Sequence, residues 1–141
     1  MKIKIKDEWK LNALVDEKKY ISMYQDSLDN NDSFWNKQGK RLDWKKKYTK
    51  IKDVKYSSQD VKINWYYDGT LNVSENCIDR HAKSHPNKIA IIWESDDPAV
   101  SKNITYKELL LQVCKTANAL KKIGVKKGDR VTIYLTMIPE L

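Results

Sequence analysis

A chain of 141 residues has the length of one compact domain and is short for two. Its 40% of apolar residues, with five tryptophans and eight tyrosines, argues against disorder throughout. The longest apolar run, Ile89–Trp93, is far shorter than the roughly 20 residues of a membrane-spanning helix. The lysine-rich start meets Asp7 and Glu8 where a secretory signal would have its apolar region. We therefore expect a cytoplasmic protein with no membrane partner.

Two helices are predicted near the beginning of the chain. Apolar residues between Leu11 and Leu28 recur at the spacing of one helix face. They are Leu11, Leu14, Val15, Ile21, Tyr24 and Leu28. The polar stretch 30–32 interrupts this pattern, and a second short helix is expected to begin at Asp32 or Ser33, since either side chain can cap free backbone N–H groups.

Residues 44–73 are expected to be extended. The stretch Trp44–Tyr56, WKKKYTKIKDVKY, has no sustained helical or strand period, which favours a connection running over the surface. Apolar and polar residues then alternate on both sides of Asp68-Gly69, which predicts a turn between two short extended segments. The alternating apolar residues are Ile63, Trp65, Leu71 and Val73.

The net charge of +8 is concentrated in one stretch of this region. Residues 37–55 hold nine basic and two acidic side chains, a local charge of +7. Lysines interleave there with Trp44, Tyr48 and Tyr56, so the stretch could follow a phosphate backbone while its rings stack on bases. A basic nucleic-acid-binding module is therefore an alternative hypothesis. It is not the preferred one, because Arg41 alone has a forked guanidinium and scattered lysines commonly keep a surface soluble.

A helix and a strand are predicted to begin the second half. Ser74 can cap a helix that Pro86 prevents from continuing. Its apolar stripe consists of Cys77, Ile78, His81, Ala82 and His85. The run Ile89–Trp93 has no polar member, which favours a strand covered on both faces, as in a parallel sheet.

The clearest helix signal follows this strand. Thr105 and Glu108 have the spacing of a capping box, and Gly124 supplies a C-terminal stop. The predicted apolar face consists of Tyr106, Leu109, Leu110, Val113, Ala117 and Leu120. A turn at residues 126–129 leads to the β-rich run Val131–Leu135, so residues 89–135 are predicted to form a right-handed strand-helix-strand unit.

The predicted elements describe an incomplete α/β domain. Pro139 is well placed as the first residue of another helix. Two strands and one crossover helix would leave sheet edges uncovered, which indicates a truncated unit. We expect a helical and extended segment over residues 1–70 and the start of a larger domain over residues 71–141.

The two cysteines are not expected to carry chemistry. Cys77 and Cys114 are the only thiols, and they form neither a CxxC pair nor a framework of several disulfides. In a cytoplasmic protein both are expected to be reduced and buried in the core, with a single structural disulfide as the alternative.

Local groups of polar residues suggest sites only weakly. His81 and His85 share a helix face, but the HExxH glutamate and a third ligand are missing, so His81 is expected to be a hydrogen-bonded core histidine. Asp79 and Arg80 are adjacent on a predicted helix, so their side chains point about 100° apart and are not expected to act on one substrate atom. Three acids that follow the predicted strand Ile89–Trp93 could hold a divalent ion, although a solvated acidic loop is the preferred interpretation. These acids are Glu94, Asp96 and Asp97.

Four phrases occur in one order along the chain. They are SLDNNDSFWNKQGKRLDW from Ser27, INWYYDGTLNVSENCIDRH from Ile63, IIWESDDP from Ile91, and ITYKELLLQVCKTANALKKIGVKKGDRVTIYLTMIPE from Ile104. Together they resemble the N-terminal part of the acetyl-CoA synthetases, the AMP-forming acetate–CoA ligases of the adenylate-forming enzyme superfamily, over roughly residues 20–141. Propionyl-CoA synthetase is the nearest alternative. The departures are Thr136, where the family usually has proline, and Tyr66-Tyr67, where an aromatic pair led by phenylalanine is expected.

The resemblance implies a two-step ligase. In such an enzyme acetate attacks ATP to give acetyl-adenylate and pyrophosphate, after which the CoA thiol displaces AMP, with Mg²⁺ accompanying the ATP. It further implies that residues 1–70 wrap around a large adenylate-forming domain that begins within residues 71–141.

The resemblance also implies that the chemistry lies elsewhere. The family's phosphate loop, adenine-binding motif and adenylation lysine all lie beyond Leu141. Independently of the resemblance, the four glycines are too scattered to form a phosphate-cradling loop. We therefore assign no catalytic, cofactor-binding or metal-binding residue to this chain. We expect a fragment that binds no cofactor, is inactive alone, and has the remainder of the synthetase as its partner.

Overall fold

The computed structural model describes residues 4–141, so the first three residues of the predicted N-terminal segment lie outside it. The described residues divide into two compact units, one ending at Leu71 and the other spanning Asn72–Leu141. Helices and short sheets are mixed in both. This confirms the predicted mixed α/β class.

Three helices begin the first unit, namely α1 (Asp7–Asn12), α2 (Glu17–Asp29) and α3 (Asn31–Gly39). The single helix predicted between Leu11 and Leu28 is wrong in its first part. Asp16 has an extended backbone, and its carboxylate accepts a 2.7 Å hydrogen bond from the backbone N–H of Lys19. This cap starts α2 at Glu17 and leaves residues 13–16 outside any helix.

The second predicted helix is confirmed as α3, but its start is different. Asn30 alone separates α2 from α3, and no side chain caps the new helix. Neither Asp32 nor Ser33 is therefore the cap. The backbone carbonyl of Asn30 accepts from the N–H of Phe34 at 2.8 Å, so the first helical hydrogen bond is made two residues earlier than predicted from Asp32.

Four strands complete the first unit, namely β1 (Trp44–Lys46), β2 (Lys50–Tyr56), β3 (Val61–Tyr67) and β4 (Thr70–Leu71). β2 and β3 form an antiparallel hairpin, and β1 pairs antiparallel with β4. The basic stretch is thus extended, as predicted, but it is part of two sheets and is not a surface connection. The turn at Asp68-Gly69 is confirmed by a 3.0 Å bond from the Gly69 N–H to the Tyr66 carbonyl.

The second unit begins with a π-helical turn at Glu75–Asp79 that continues into α4 (Arg80–Ser84). The helix and its end before Pro86 agree with the prediction. The cap is different, because Ser74 already has helical backbone angles and makes no capping bond. The Asn72 side-chain oxygen instead accepts from the Glu75 N–H at 3.1 Å.

A hairpin and a long helix follow. β5 (Ile89–Glu94) pairs antiparallel with β6 (Ser101–Thr105), which leads directly into α5 (Tyr106–Lys122). The strand β5 and the helix α5 are confirmed. The parallel sheet is wrong, since the partner of β5 is the unpredicted β6. Ile92 is 69% exposed, so this strand is not covered on both faces.

The second strand of the predicted strand-helix-strand unit is also wrong. Residues 131–135 have no strand assignment, and within the described chain no strand pairs with them. The unit is therefore strand-strand-helix. A strand requires a neighbour for its backbone groups, and local β propensity cannot supply one.

Each unit has a small core. Tyr48 is the buried aromatic residue of the first unit, while Ile104 and Ala82 are buried in the second. Both cysteines are free thiols, but both are exposed, so their predicted burial is wrong. Cys77 lies in the π-helical turn and Cys114 in α5.

Candidate functional site

An aromatic cluster organises the first unit. We define it as Trp44, Tyr48 and Tyr66. Their ring centroids are 5.0 Å apart for Trp44 and Tyr48, 5.4 Å for Trp44 and Tyr66, and 4.8 Å for Tyr48 and Tyr66. Inclined rings at these separations interact favourably beyond the area they bury. The cluster therefore joins β1, β3 and the 47–49 turn into one core.

Each polar side-chain atom of the aromatic cluster has a partner on α3. The Tyr48 hydroxyl donates to the side-chain oxygen of Asn36 at 2.7 Å, and the Trp44 indole N–H donates to the Gly39 carbonyl at 2.8 Å. The Tyr66 hydroxyl donates to the Trp35 carbonyl at 2.9 Å. Burial is the main reason that the pKa of Tyr66 is raised. These phenols and the indole are thus structural groups holding the end of α3.

Two glycines allow this close packing. A Cβ atom at Gly39 would lie 2.8 Å from the Tyr48 hydroxyl oxygen and 2.8 Å from a Tyr66 ring carbon. A Cβ atom at Gly69 would lie 2.8 Å from the Trp44 ring. Both glycines therefore serve the approach of backbone to aromatic rings, a use unrelated to phosphate binding.

The lysines around the aromatic cluster are paired with acids on neighbouring segments. Three such pairs are Lys46–Asp68 at 2.8 Å, Lys55–Asp60 at 3.1 Å and Lys52–Asp32 at 3.3 Å. Lys62 and Asp53 face each other across the β2–β3 hairpin. Asp32, Asp60 and Asp68 lie outside residues 37–55 and thus balance part of the positive charge of that stretch, whereas Lys62 comes from outside and pairs with an acid within it.

Asp68 ties β1 to the end of β3. The Lys46 ammonium hydrogen bond lowers the pKa of this carboxyl, and the Thr49 backbone N–H at 2.8 Å lowers it further. Because the pKa of Asp68 is lower in the folded state than its ordinary value of 3.8, the charged carboxylate stabilises the fold at pH values above 3.8. This contribution is lost as the pH falls through the folded-state pKa.

Two of the three rings that the nucleic-acid hypothesis requires for base stacking are not freely accessible in this structure. Tyr48 is only 7% exposed, and Trp44 is half-buried against it. Tyr56, at 73% exposed, is the one ring of the three that could meet a base. The structure gives the other two a packing role.

The histidines of the second unit have ordinary structural contacts. His81 is half-buried, its ring centroid is 5.2 Å from that of Tyr106, and its Nε2 accepts from the Arg80 guanidinium at 3.4 Å. This agrees with a hydrogen-bonded core histidine. His85 Nδ1 lies 2.9 Å from the Ser84 hydroxyl. Across residues 4–141, no three His, Cys, Asp or Glu side chains group together in a way that could hold a metal ion.

The acidic loop between β5 and β6 is held by hydrogen bonds among its own residues. The Asp97 carboxylate accepts from the Ala99 N–H at 2.9 Å, and the Ser95 hydroxyl donates to the Asp97 carbonyl at 3.0 Å. Asp97 is thereby used as a turn residue. This fits the solvated acidic loop expected from the sequence.

The residues of the predicted apolar face of α5 are half-buried except Ala117. Four of them line a groove of about 470 Å³, namely Leu109, Val113, Ala117 and Leu120. The rest of the lining consists of Gln112 and Thr116 of the same helix, Ile91 of β5 and residues 139–141. The capping box at the start of α5 is confirmed, because Thr105 and Glu108 exchange hydrogen bonds in both directions. The backbone bond from Thr105 is the main reason that the pKa of Glu108 is lowered.

Several anchoring residues were missed from the sequence. Asn36 holds the Tyr48 hydroxyl, and Asn76 is a buried polar residue whose side-chain amide donates to the Asn72 carbonyl at 3.0 Å. Asn72 stands three residues before Glu75, which is a capping signal that could have been recognised. Asn36 gave no such signal, because its partner lies twelve residues away.

No helix in the described part of the chain is long and apolar enough to cross a membrane.

Family models match the chain in two consecutive parts. Residues 20–77 match the acetyl-coenzyme A synthetase N-terminus, and residues 78–141 match the AMP-binding enzyme family. The acetyl-coenzyme A synthetase of Parvibaculum lavamentivorans is 56% identical over 133 residues, which are 94% of this chain. This chain belongs to the acetyl-coenzyme A synthetase family. The acetyl-coenzyme A synthetase of Brucella anthropi is similar to the same extent, with 57% identity over 94% of this chain.

The chain spans about one fifth of the length of these synthetases, 21% for the Parvibaculum protein and 20% for the Brucella protein. Among solved structures, the acetoacetyl-CoA synthetase of Streptomyces lividans superposes with a TM-score of 0.72 and 28% identity. That match covers 86% of this chain and 18% of the other. The predicted family resemblance is therefore confirmed. About four fifths of the length of the Parvibaculum synthetase lies outside the part that matches this chain.

Proposed function

We propose that this chain forms the N-terminal part of an AMP-forming acetate–CoA ligase and contributes structure to it without catalytic residues. The whole enzyme would join acetate to ATP as acetyl-adenylate, release pyrophosphate, and transfer the acetyl group to CoA with release of AMP. ATP, Mg²⁺ and CoA would be bound by the part of the enzyme beyond this chain. The observation that carries the proposal is the 56% identity to acetyl-coenzyme A synthetases over 94% of the chain.

The geometry of the glycines supports the assignment of no site residues. Adenylate chemistry requires backbone N–H groups and a cation around the phosphates, because charge develops on the departing pyrophosphate. Gly39 and Gly69 are packed against aromatic rings, while Gly124 and Gly128 lie in turns with positive φ angles of 94° and 98°. Within the described residues, these four positions do not combine into a phosphate-binding loop.

The proposal includes a division of labour along the chain. Residues 1–70 would wrap the large domain, and residues 71–141 would begin it. The boundary between the two compact units after Leu71 supports this division. The change of family model between residues 77 and 78 lies slightly later, inside the π-helical turn. A cytoplasmic location is part of the same proposal, and fractionation of cells that produce the protein would test it.

The decisive experiment compares this chain alone with a chimera. In the chimera, the chain replaces the matching first fifth of the Parvibaculum synthetase. We expect no acetate-dependent exchange of pyrophosphate into ATP from the purified 141-residue chain, and clear exchange from the chimera. Activity of the isolated chain would refute its structural role, and an inactive but folded chimera would count against the family function.

Acyl specificity needs a separate arm of this experiment. Propionyl-CoA synthetase is the alternative parent enzyme, and the acyl pocket is expected to lie beyond this chain. Replacing the first fifth of the Parvibaculum enzyme should therefore leave its ratio of acetate to propionate activity unchanged. A changed ratio would show that residues of this chain help to select the acyl group.

A further inference from the structure

We draw no further inference here: the strongest candidate, the exposed apolar face of the β2–β3 hairpin that Tyr56, Val61 and Ile63 share with Trp65 and Tyr67, carries no proposal because nothing in the structure shows what covers it.

Discussion

Replacing Tyr48 by phenylalanine should destabilise the first unit through one hydroxyl group. That hydroxyl donates to the Asn36 side-chain oxygen at 2.7 Å and belongs to a residue only 7% exposed. Removing a buried donor and leaving its acceptor without a partner costs about 1–3 kcal/mol. Because Asn36 is half-buried and can regain some water, we expect about 1–2 kcal/mol.

The assay is urea unfolding followed by tryptophan fluorescence. Four of the five tryptophans, at positions 9, 35, 44 and 65, lie before Leu71, so the signal reports mainly on the first unit. Tyr56→Phe is the control, since that residue is 73% exposed, and its effect should stay within about 0.5 kcal/mol.

A double-mutant cycle isolates the hydrogen bond from other effects. Asn36→Ala and Tyr48→Phe should be less than additive, with a coupling free energy of about 1 kcal/mol. Independent effects of the two substitutions, or a loss no larger than that of the Tyr56 control, would show that the bond does not anchor α3 to the aromatic cluster.

Three further predictions follow from other contacts. Gly69→Ala should lower the free energy of unfolding by about 1–3 kcal/mol, because its Cβ would lie 2.8 Å from the Trp44 ring; an unchanged urea midpoint would contradict that packing. Asp68→Asn should lower the free energy of unfolding of the first unit at neutral pH, because the charged carboxylate stabilises the fold. The variant should also lose less stability than the unchanged protein when the pH falls below 3.8, the ordinary pKa of this carboxyl. Fluorescence-monitored acid titrations check this, and identical acid midpoints would speak against it. Thr105→Ala should cost about 1 kcal/mol through loss of the capping box, whereas the exposed Thr116→Ala within α5 should not; equal losses of helical circular dichroism would rule out the cap.

Local signals in the sequence were sufficient where all the partners were close in the chain. The capping box of Thr105 and Glu108 identified the start of α5, and the alternation around Asp68-Gly69 identified a turn. Spacing alone determines such contacts, because both partners lie within one helical turn or one tight bend. The family was also recognisable from the sequence, since four ordered phrases carry more information than any single motif.

Local signals failed where a distant partner decided the outcome. The basic stretch became β1 and β2 because residues 61–71 pair with it, and the apolar run at β5 became one strand of a hairpin because β6 follows it. Asn36 had no recognisable role until the fold brought it to Tyr48. The sequence cannot show such partners, because strand pairing and side-chain anchoring depend on which segments meet.

By itself, the amino-acid sequence determined the family of this protein, its mixed α/β class and the helices with local caps. The tertiary structure alone decided which strands pair, which aromatic rings are buried and which segment is left without a neighbour. Residues 131–135 have the propensity of a strand and the structure of an unpaired segment. The physical reason is that propensity is a property of each residue, whereas a strand exists only when another backbone accepts its hydrogen bonds.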